Sequence, residues 1–305
     1  LRAYPEPAPL YQKLSAWLGV PREQLLLTWG ADGALKAIHE AYAESGDEVV
    51  SARPSYAMYP VYAAMVGAVA REVSFRADLS LPLDDLLRAI TAKTKLVVLA
   101  NPNQPIERVY EEQEVRALLD RCAKTRTLLV MDEAYAHFSP ASAWPCLPIS
   151  DHLVIVRTFS KAFGLAGLRL GYCVAAPKTI AALHTLRPMY EASAVAIAMG
   201  CYMLEHPDLM TSYVEEVRQT MNWLRERFAR MGFQTFGRWG NSLLVALPGR
   251  LSSCQVKEAL QHRGFLVRAE TEPPLTNHLR ITVGPTDQAK RFWLALTSVL
   301  EGLRP

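Results

Sequence analysis

Lys161 lies between a serine and a run of small residues, in the segment RTFSKAFGLAGLRLGY that spans residues 157–172. The apolar stretch LVIVRTF precedes it and has the pattern of a buried strand. A lysine at a strand end, followed by small residues, can meet a ligand that approaches the backbone closely. Its primary amine would then be available to an aldehyde on that ligand. A solvated surface lysine fits the local sequence equally well.

An acid ends a second apolar run, TLLVMD, in which the last residue is Asp132. Burying a carboxylate is costly unless it meets a cation or a hydrogen-bond donor. A protonated pyridine nitrogen would be such a partner, although a helix cap or an ordinary ion pair would also satisfy the residue. Tyr135, three residues further on, can reach the same ligand with its phenol hydroxyl.

A third group of residues could bind phosphate. The segment LLLTWGADGALKAIHEAY predicts a strand, a glycine-containing turn and an amphipathic helix. Free amides at the start of that helix, near Ala31 and Asp32, can bind an anion. Arg169 and the hydroxyls of Thr158 and Ser160 could complete a site for a dianion, because a guanidinium offers two parallel donors.

Together these groups require one ligand that carries an aldehyde, a ring nitrogen and a phosphate. Pyridoxal 5′-phosphate meets that description. A dinucleotide fits less well, because GLAGLRLG lacks the G-x-G-x-x-G spacing and follows the wrong strand.

The elements that must position these residues follow an α/β rhythm. Short apolar runs alternate with helical stretches as far as about residue 180, which predicts a mostly parallel sheet buried on both faces by helices. Ligand groups then belong at the strand ends. From about residue 207 a long charged helix is followed by strand, helix, strand, strand and helix signals. We therefore expect a large domain over residues 1–207 and a smaller α+β domain over residues 208–305.

Composition narrows the class of function. The 305 residues carry a formal net charge of +3, with basic and acidic residues mixed throughout, which disfavours a nucleic-acid partner. Five widely spaced cysteines and unpaired histidines give no disulfide framework and no metal site, so a reducing cytoplasm is expected. No membrane segment is predicted. The chain opens without methionine or a signal-peptide pattern, so residues upstream of it are expected.

Several motifs, in order along nearly the whole chain, resemble one family. They are LRAYPEP, WGAD, RPSYAMY, NPNQP, MDEAY, RTFSKAFGLAGLRLGY and LRITVG. The chain is similar to the fold-type I pyridoxal-phosphate aminotransferases, most closely to the histidinol-phosphate aminotransferase group. The resemblance implies an aspartate aminotransferase-like fold, with a seven-stranded, mostly parallel sheet in the large domain.

The resemblance also implies a role for each candidate residue. Lys161 would bond to the cofactor aldehyde, Asp132 would face the ring nitrogen, and Tyr135 would face the ring oxygen. Tyr56 would stack on the ring. The implied phosphate ligands are Ala31, Asp32, Thr158, Ser160, Arg169 and, from the neighbouring subunit of a homodimer, Tyr4.

At the substrate end, Arg280 and Arg268 resemble the two arginines of the family, although both can also be ordinary strand-edge residues. One motif departs from the family. Gln104 replaces the asparagine that hydrogen-bonds the ring oxygen, and Ile106 and Glu107 replace a Thr-Gly turn. Gly33 also occupies a position where these enzymes often have glutamate.

The activity implied by the resemblance is a ping-pong transfer of an amino group from an amino donor to a keto acid such as 2-oxoglutarate. Histidinol phosphate is the expected donor, in histidine biosynthesis. The Gln104 departure leaves a second hypothesis open, a diverged paralogue that acts on another amino acid, with decarboxylation or oxidation as a possible outcome. A third hypothesis is a non-catalytic module that binds pyridoxal phosphate.

Overall fold

The computed structural model describes residues 2–249 and 251–303. The chain divides into two compact units. The first comprises Leu1–Phe75, Leu81–Gln104 and Arg108–Met210, and the second comprises Arg76–Ser80, Pro105–Glu107 and Thr211–Pro305. The expected domain boundary between residues 207 and 208 stays a prediction.

The first unit is built on a seven-stranded sheet with the strand order β1-β7-β6-β5-β4-β2-β3. All its strand pairs are parallel except the two that β7 makes with β1 and β6. This arrangement confirms the predicted mostly parallel sheet. The strands are β1 Leu25–Thr28, β2 Glu48–Arg53, β3 Val69–Ser74, β4 Thr94–Ala100, β5 Leu128–Asp132, β6 Leu153–Thr158 and β7 Gly171–Ala175.

Strand β3 is the one strand of this sheet that the apolar runs did not predict. It lies at the edge of the sheet, where it pairs only with β2 and leaves its charged residues at the surface. Arg71 of β3 donates from Nε to Glu48 Oε1 over 3.0 Å. An edge strand is solvated along one side and on one face, so it needs no continuous apolar run.

In the described part of the first unit, seven α-helices precede α8. Helix α2 shows why they form: Ala34, Leu35 and Ile38 recur along one face and are fully buried in the core against the sheet. The helices are α1 Ala8–Leu18, α2 Gly30–Tyr42, α3 Met58–Met65, α4 Leu83–Ala89, α5 Glu112–Thr125, α6 Pro177–His184 and α7 Ala194–Glu205.

The second unit contains a four-stranded antiparallel sheet with the order β10-β11-β9-β8. The predicted succession of elements is confirmed, with the two-residue strand β8 in addition. Helix α8 has its first residues, 207–210, in the first unit. The elements are α8 Pro207–Arg230, β8 Thr235–Phe236, β9 Ser242–Ala246, α9 Ser253–Gln261, β10 Arg268–Glu270, β11 His278–Thr282 and α10 Thr286–Gly302. None of the helices in the described ranges is both long and apolar enough to cross a membrane.

Candidate active site

The carboxyl ends of the central strands form one edge of the large sheet. Strands β4, β5 and β6 run parallel, with Ala100 beside Asp132 and Asp132 beside Val156. The residues that follow these strand ends therefore meet at the same edge. This edge carries Tyr56 after β2, Gln104 after β4, Asp132 and Tyr135 at the end of β5, and Thr158, Ser160 and Lys161 at the end of β6.

Antiparallel strand β7 brings the start of α2 to this edge as well. Its first residue, Gly171, pairs with Thr28 at the end of β1 and with Thr158 at the end of β6. A Cβ atom at Gly171 would lie 2.5 Å from the carbonyl carbon of Gly30, so only glycine permits this approach. Arg169, just before β7, is thereby placed beside the first turn of α2.

Asp132 is buried with two hydrogen bonds to its carboxylate. The hydroxyl of Tyr59 donates to Oδ2 over 2.8 Å, and the amide of Ala134 donates to Oδ1 over 3.1 Å. Burial nevertheless raises the pKa of Asp132 to about 6, against the lowering effects of these hydrogen bonds and of Lys161. The carboxylate is therefore under-stabilised, and a cationic N–H donor on a ligand would lower its pKa.

The amine of Lys161 lies over the ring of Tyr135, with Nζ 5.2 Å from the ring centroid. Lys161 follows β6 in a turn that is closed by hydrogen bonds from Gly164 N to the Lys161 carbonyl and from Leu165 N to the Phe159 carbonyl. The lysine is partly buried and is close enough to Asp132 to affect the pKa of that carboxyl. The structure thus brings Lys161, Asp132 and Tyr135 together.

The first turn of α2 and the end of β6 supply neutral donors for an anion. The first amides of the helix, near Ala31 and Asp32, have no carbonyl of a preceding turn to donate to. The Gly33 amide begins the helical pattern, because it donates to the carbonyl of Trp29, the residue before the helix, over 3.2 Å. The Thr158 hydroxyl lies 3.0 Å from that of Ser160. Arg169 lies 3.4 Å from the Ser160 hydroxyl through Nη1, which adds a charged donor.

The carboxylate of Asp32 holds these groups in place. Its Oδ2 accepts from Arg169 Nη2 over 2.9 Å, and its Oδ1 accepts from the hydroxyls of Tyr56 at 2.7 Å and Tyr62 at 3.1 Å. Since both oxygens have partners, residue 32 offers an incoming phosphate its backbone amide, while its side chain fixes Arg169 and Tyr56. Desolvation and the Asp32 carboxylate raise the pKa of Tyr56 well above its ordinary value.

Two of these positioning residues, Tyr59 and Tyr62, were missed in the sequence. They follow Tyr56 at intervals of three residues on helix α3, so a single turn-and-helix segment presents all three phenols to Asp32 and Asp132. The rings of Tyr56 and Tyr59 pack edge to face with centroids 5.6 Å apart. The regular spacing of the tyrosines was the available signal, but aromatic residues at helical spacing are usually core residues.

Glu191 occupies the space beside Gly33. Its Oε1 accepts from the Trp29 amide over 2.9 Å and lies 2.7 Å from the position that a Gly33 Cβ would take. Burial raises the pKa of Glu191. A larger residue at position 33 would therefore have to displace the carboxylate that binds the amide just before α2.

The loop after β4 is fixed on both sides of Gln104. The side chain of Asn103 accepts from the Ser55 hydroxyl over 2.5 Å and donates to the Pro54 carbonyl over 3.1 Å. Its backbone amide donates to the Arg108 carbonyl over 2.8 Å. Gln104 itself is partly buried at the sheet edge. Whether its amide reaches the ring oxygen of a cofactor stays a prediction.

The two unusual residues that follow have distinct roles in the second unit. Ile106 is buried, and the carboxylate of Glu107 accepts from the backbone amides of Arg238, over 2.6 Å, and Trp239. Consecutive amides that converge on one oxygen form a small anion-binding concavity. Burial raises the pKa of Glu107 even so. Glutamate at position 107 thus fixes a turn that glycine could not.

Tyr4 extends from the N-terminal segment and is 76% exposed. Its ring stacks on that of Tyr190, with centroids 4.2 Å apart and an angle of 8° between the planes. Most of the Tyr4 side chain is therefore accessible to a second molecule.

The two predicted substrate arginines lie together in the second unit. Arg268 on β10 is directly opposite Arg280 on β11. Both approach the same atom, Glu270 Oε1, with their Nε atoms at 3.3 Å and 3.4 Å. The sequence had shown each arginine separately, and the structure makes them a pair with a shared carboxylate.

Comparisons with a protein family, with related sequences and with solved structures all match this chain to aminotransferases. The family described as aminotransferase class I and II matches residues 4–296. A histidinol-phosphate aminotransferase of Symbiobacterium thermophilum is 34% identical over 98% of this chain and 83% of its own length. The crystal structure of histidinol-phosphate aminotransferase from Sinorhizobium meliloti, in complex with pyridoxal-5′-phosphate, is 27% identical, with a TM-score of 0.91 over 99% of this chain and 84% of that one. A Thermus thermophilus aspartate aminotransferase mutant shares the fold, with 22% identity and a TM-score of 0.84 over 97% of this chain and 88% of that one.

Proposed function

Because the chain belongs to the class I and II aminotransferase family, we propose that it uses pyridoxal 5′-phosphate to transfer an amino group from histidinol phosphate to 2-oxoglutarate. The observation that carries this proposal is the sheet edge of the first unit. There a lysine, a buried aspartate and a set of hydrogen-bond donors for an anion lie close together. The names of the relatives support the donor.

The residues at the edge fit the cofactor part by part. Asp132 is a buried carboxylate whose pKa is raised to about 6, so a protonated ring nitrogen would supply its missing cation. The free amides at the start of α2, with Arg169, Thr158 and Ser160, fit a phosphate dianion. Lys161 is the amine beside both.

When bound, pyridoxal phosphate supplies an aldehyde that takes up the amino group and a ring that accepts electrons from the substrate α-carbon. The protein residues do the rest. The Lys161 amine would move a proton away from the substrate α-carbon. Asp132 would keep a proton at the ring nitrogen. Tyr135 and Gln104 would donate to the ring oxygen, and Tyr56 would stack on the ring while Asp32 holds its hydroxyl.

The anionic end of the donor would bind to Arg280 and Arg268. Two guanidiniums across a strand pair can bind a phosphate, and they can also bind the carboxylate of 2-oxoglutarate. The Gln104 substitution favours one alternative, a diverged paralogue acting on another amino acid. A non-catalytic module is disfavoured, because Lys161, Asp132, Tyr135 and Arg169 are all present.

A homodimer is part of the proposal, and apolar side chains at the surface of the first unit support it. Val195, Met199 and Tyr202 lie on one face of α7 and are exposed, as are Met189 and Tyr190 in the preceding loop. A second copy that covers this surface could also receive Tyr4. The cytoplasm is the proposed location, which fits five free cysteines in the described chain.

A visible spectrum tests the function. Purified protein with pyridoxal phosphate should show an absorbance band that Lys161→Ala lacks. Histidinol phosphate should convert that band, and 2-oxoglutarate should restore it. If histidinol phosphate fails while another amino acid converts the band, the donor is wrong and the paralogue hypothesis replaces it. If no donor converts a lysine-dependent band, transamination itself is contradicted.

A further inference from the structure

A carboxylate lies within the arginine pair of the second unit. Glu270 follows Arg268 by two residues, so both side chains project from the same face of β10. Its Oε1 has no exposed surface, although the side chain of Arg268 is 65% exposed and that of Arg280 is 27% exposed. Neither contact has the directional geometry of a hydrogen bond, so the attraction is between charges at 3.3 Å and 3.4 Å.

The position of the contacts leaves the arginines able to bind a ligand. Each guanidinium makes its closest approach to Glu270 through Nε, the nitrogen at the base of the fork. The terminal nitrogens point further along the side chain and can bind an anion in the usual two-donor arrangement. Glu270 therefore holds the two arginines side by side without covering the groups that would bind a substrate.

The histidine opposite Glu270 adds no charge to the arginine pair. His278 pairs with Glu270 across the two strands, and burial lowers its pKa, so the imidazole is neutral at neutral pH. Two guanidiniums and one carboxylate then give the cluster a net charge of one positive unit. Without Glu270 the same cluster would carry two.

We propose that Glu270 is a specificity-determining residue, which halves the net charge of the arginine pair and so reduces its preference for a phosphate dianion over a carboxylate monoanion. This inference rests on the proposed role of Arg268 and Arg280 in binding the substrate anion. A ping-pong transaminase must bind a phosphate-bearing donor and a carboxylate-bearing acceptor in turn. The Coulomb energy scales with the charge of the ligand. An additional positive charge therefore contributes about twice as much binding free energy for a dianion as for a monoanion.

The test compares anion binding by three holoenzymes saturated with pyridoxal phosphate. They are the wild type, Glu270→Gln and the control Glu258→Gln, which changes an exposed glutamate on α9 of the same unit. Calorimetry gives dissociation constants for inorganic phosphate and for acetate at about pH 8, where phosphate is a dianion. We expect Glu270→Gln to bind phosphate about tenfold more tightly and acetate about threefold more tightly, on the scale of one surface charge interaction. The control should bind both as the wild type does.

Steady-state kinetics adds a second measurement. The KM for histidinol phosphate should fall more than the KM for 2-oxoglutarate in Glu270→Gln. Equal changes for both anions, or weaker binding of both, would overturn the proposal and leave Glu270 as a residue that only holds the arginines. If Glu270→Gln does not fold, Glu270→Ala removes the same negative charge and should show the same contrast between phosphate and acetate.

The same data separate this inference from the proposed function. A wild-type enzyme that does not react with histidinol phosphate contradicts the donor, while the contrast between phosphate and acetate still tests Glu270. An Arg280→Gln holoenzyme that binds both anions as the wild type does contradicts the role of the arginine pair, and with it the inference about Glu270.

Discussion

The carboxylates at the sheet edge of the first unit differ from the carboxylate of the arginine pair in the second. Each oxygen of Asp132 and Asp32 has a directional donor, supplied by Tyr59, Ala134, Arg169 or a further tyrosine. In the second unit, one oxygen of Glu270 is shared by two guanidiniums at 3.3 Å and 3.4 Å. The first arrangement fixes geometry, whereas the second mainly adjusts charge.

This difference follows from the partners of each carboxylate. Asp132 is buried among strand ends, where an unpaired oxygen costs about 1–3 kcal/mol or more, and both of its oxygens accept a hydrogen bond. Glu270 Oε1 is also buried, but the side chain of Arg268 beside it is 65% exposed, so water screens that ion pair. Substitutions in the first region should therefore change function and stability together, and those in the second should change mainly affinity.

The largest effect is expected from Asp132→Asn. Loss of the negative charge at the ring nitrogen should lower kcat about a hundredfold or more, the scale of losing one preorganised electrostatic group. Assays at saturating cofactor measure this. A variant with nearly wild-type kcat would contradict the assignment of Asp132.

The same substitution should stabilise the cofactor-free protein. The folded-state pKa of Asp132 is raised from 3.8 to about 6, so between those values this residue binds more protons in the folded protein than in the unfolded chain, and its contribution to stability falls as the pH rises through that window. Above it the wild type carries a cost of about 3 kcal/mol, which the neutral asparagine avoids. Urea unfolding from about pH 4 to pH 8 should show the free energy of unfolding of the variant rising relative to that of the wild type as the pH increases.

Arg169→Gln should have the next largest effect, on cofactor affinity. The change removes a charged donor from the phosphate site and the cation that pairs with Asp32 at 2.9 Å. Losing a charged hydrogen bond of this kind should weaken pyridoxal-phosphate binding about tenfold to a hundredfold. Absorbance titration measures the constant, and Arg116→Gln, which removes an exposed pair on α5, is the control that should bind normally. Unchanged affinity in Arg169→Gln would place the phosphate elsewhere.

Much of this region was predictable from the sequence, and the reasons are physical. Buried parallel strands are continuous apolar runs, so Asp132 and Lys161 were recognisable as polar residues where such runs end. Strand β3 was not, because an edge strand carries surface charges. Glu270 gave no signal, because its significance depends on a cross-strand register that sequence spacing does not show.

Tyr59→Phe should have a moderate effect that tests whether the tyrosine fixes Asp132. The ring would keep its packing while the hydroxyl that donates to Asp132 over 2.8 Å is lost. We expect a loss of about 1–2 kcal/mol in the free energy of unfolding above pH 6, where the carboxylate is charged. Tyr56→Phe, in a half-exposed site, should cost less in the same urea experiment. An equal loss in both variants would show that burial does not distinguish the two hydroxyls.

Arg268→Gln should have the smallest effect on stability, and this outcome would sharpen the contrast between the two regions. The side chain is 65% exposed and its ion pair with Glu270 is loose, so the free energy of unfolding should change by no more than about 0.5 kcal/mol. Urea denaturation beside wild type measures it. Since the same variant is expected to lose affinity for phosphate, a stable protein with weakened anion binding would mean that this arginine serves the ligand and not the fold. A loss of several kcal/mol would instead make the arginine pair a structural element, comparable with the network around Asp132.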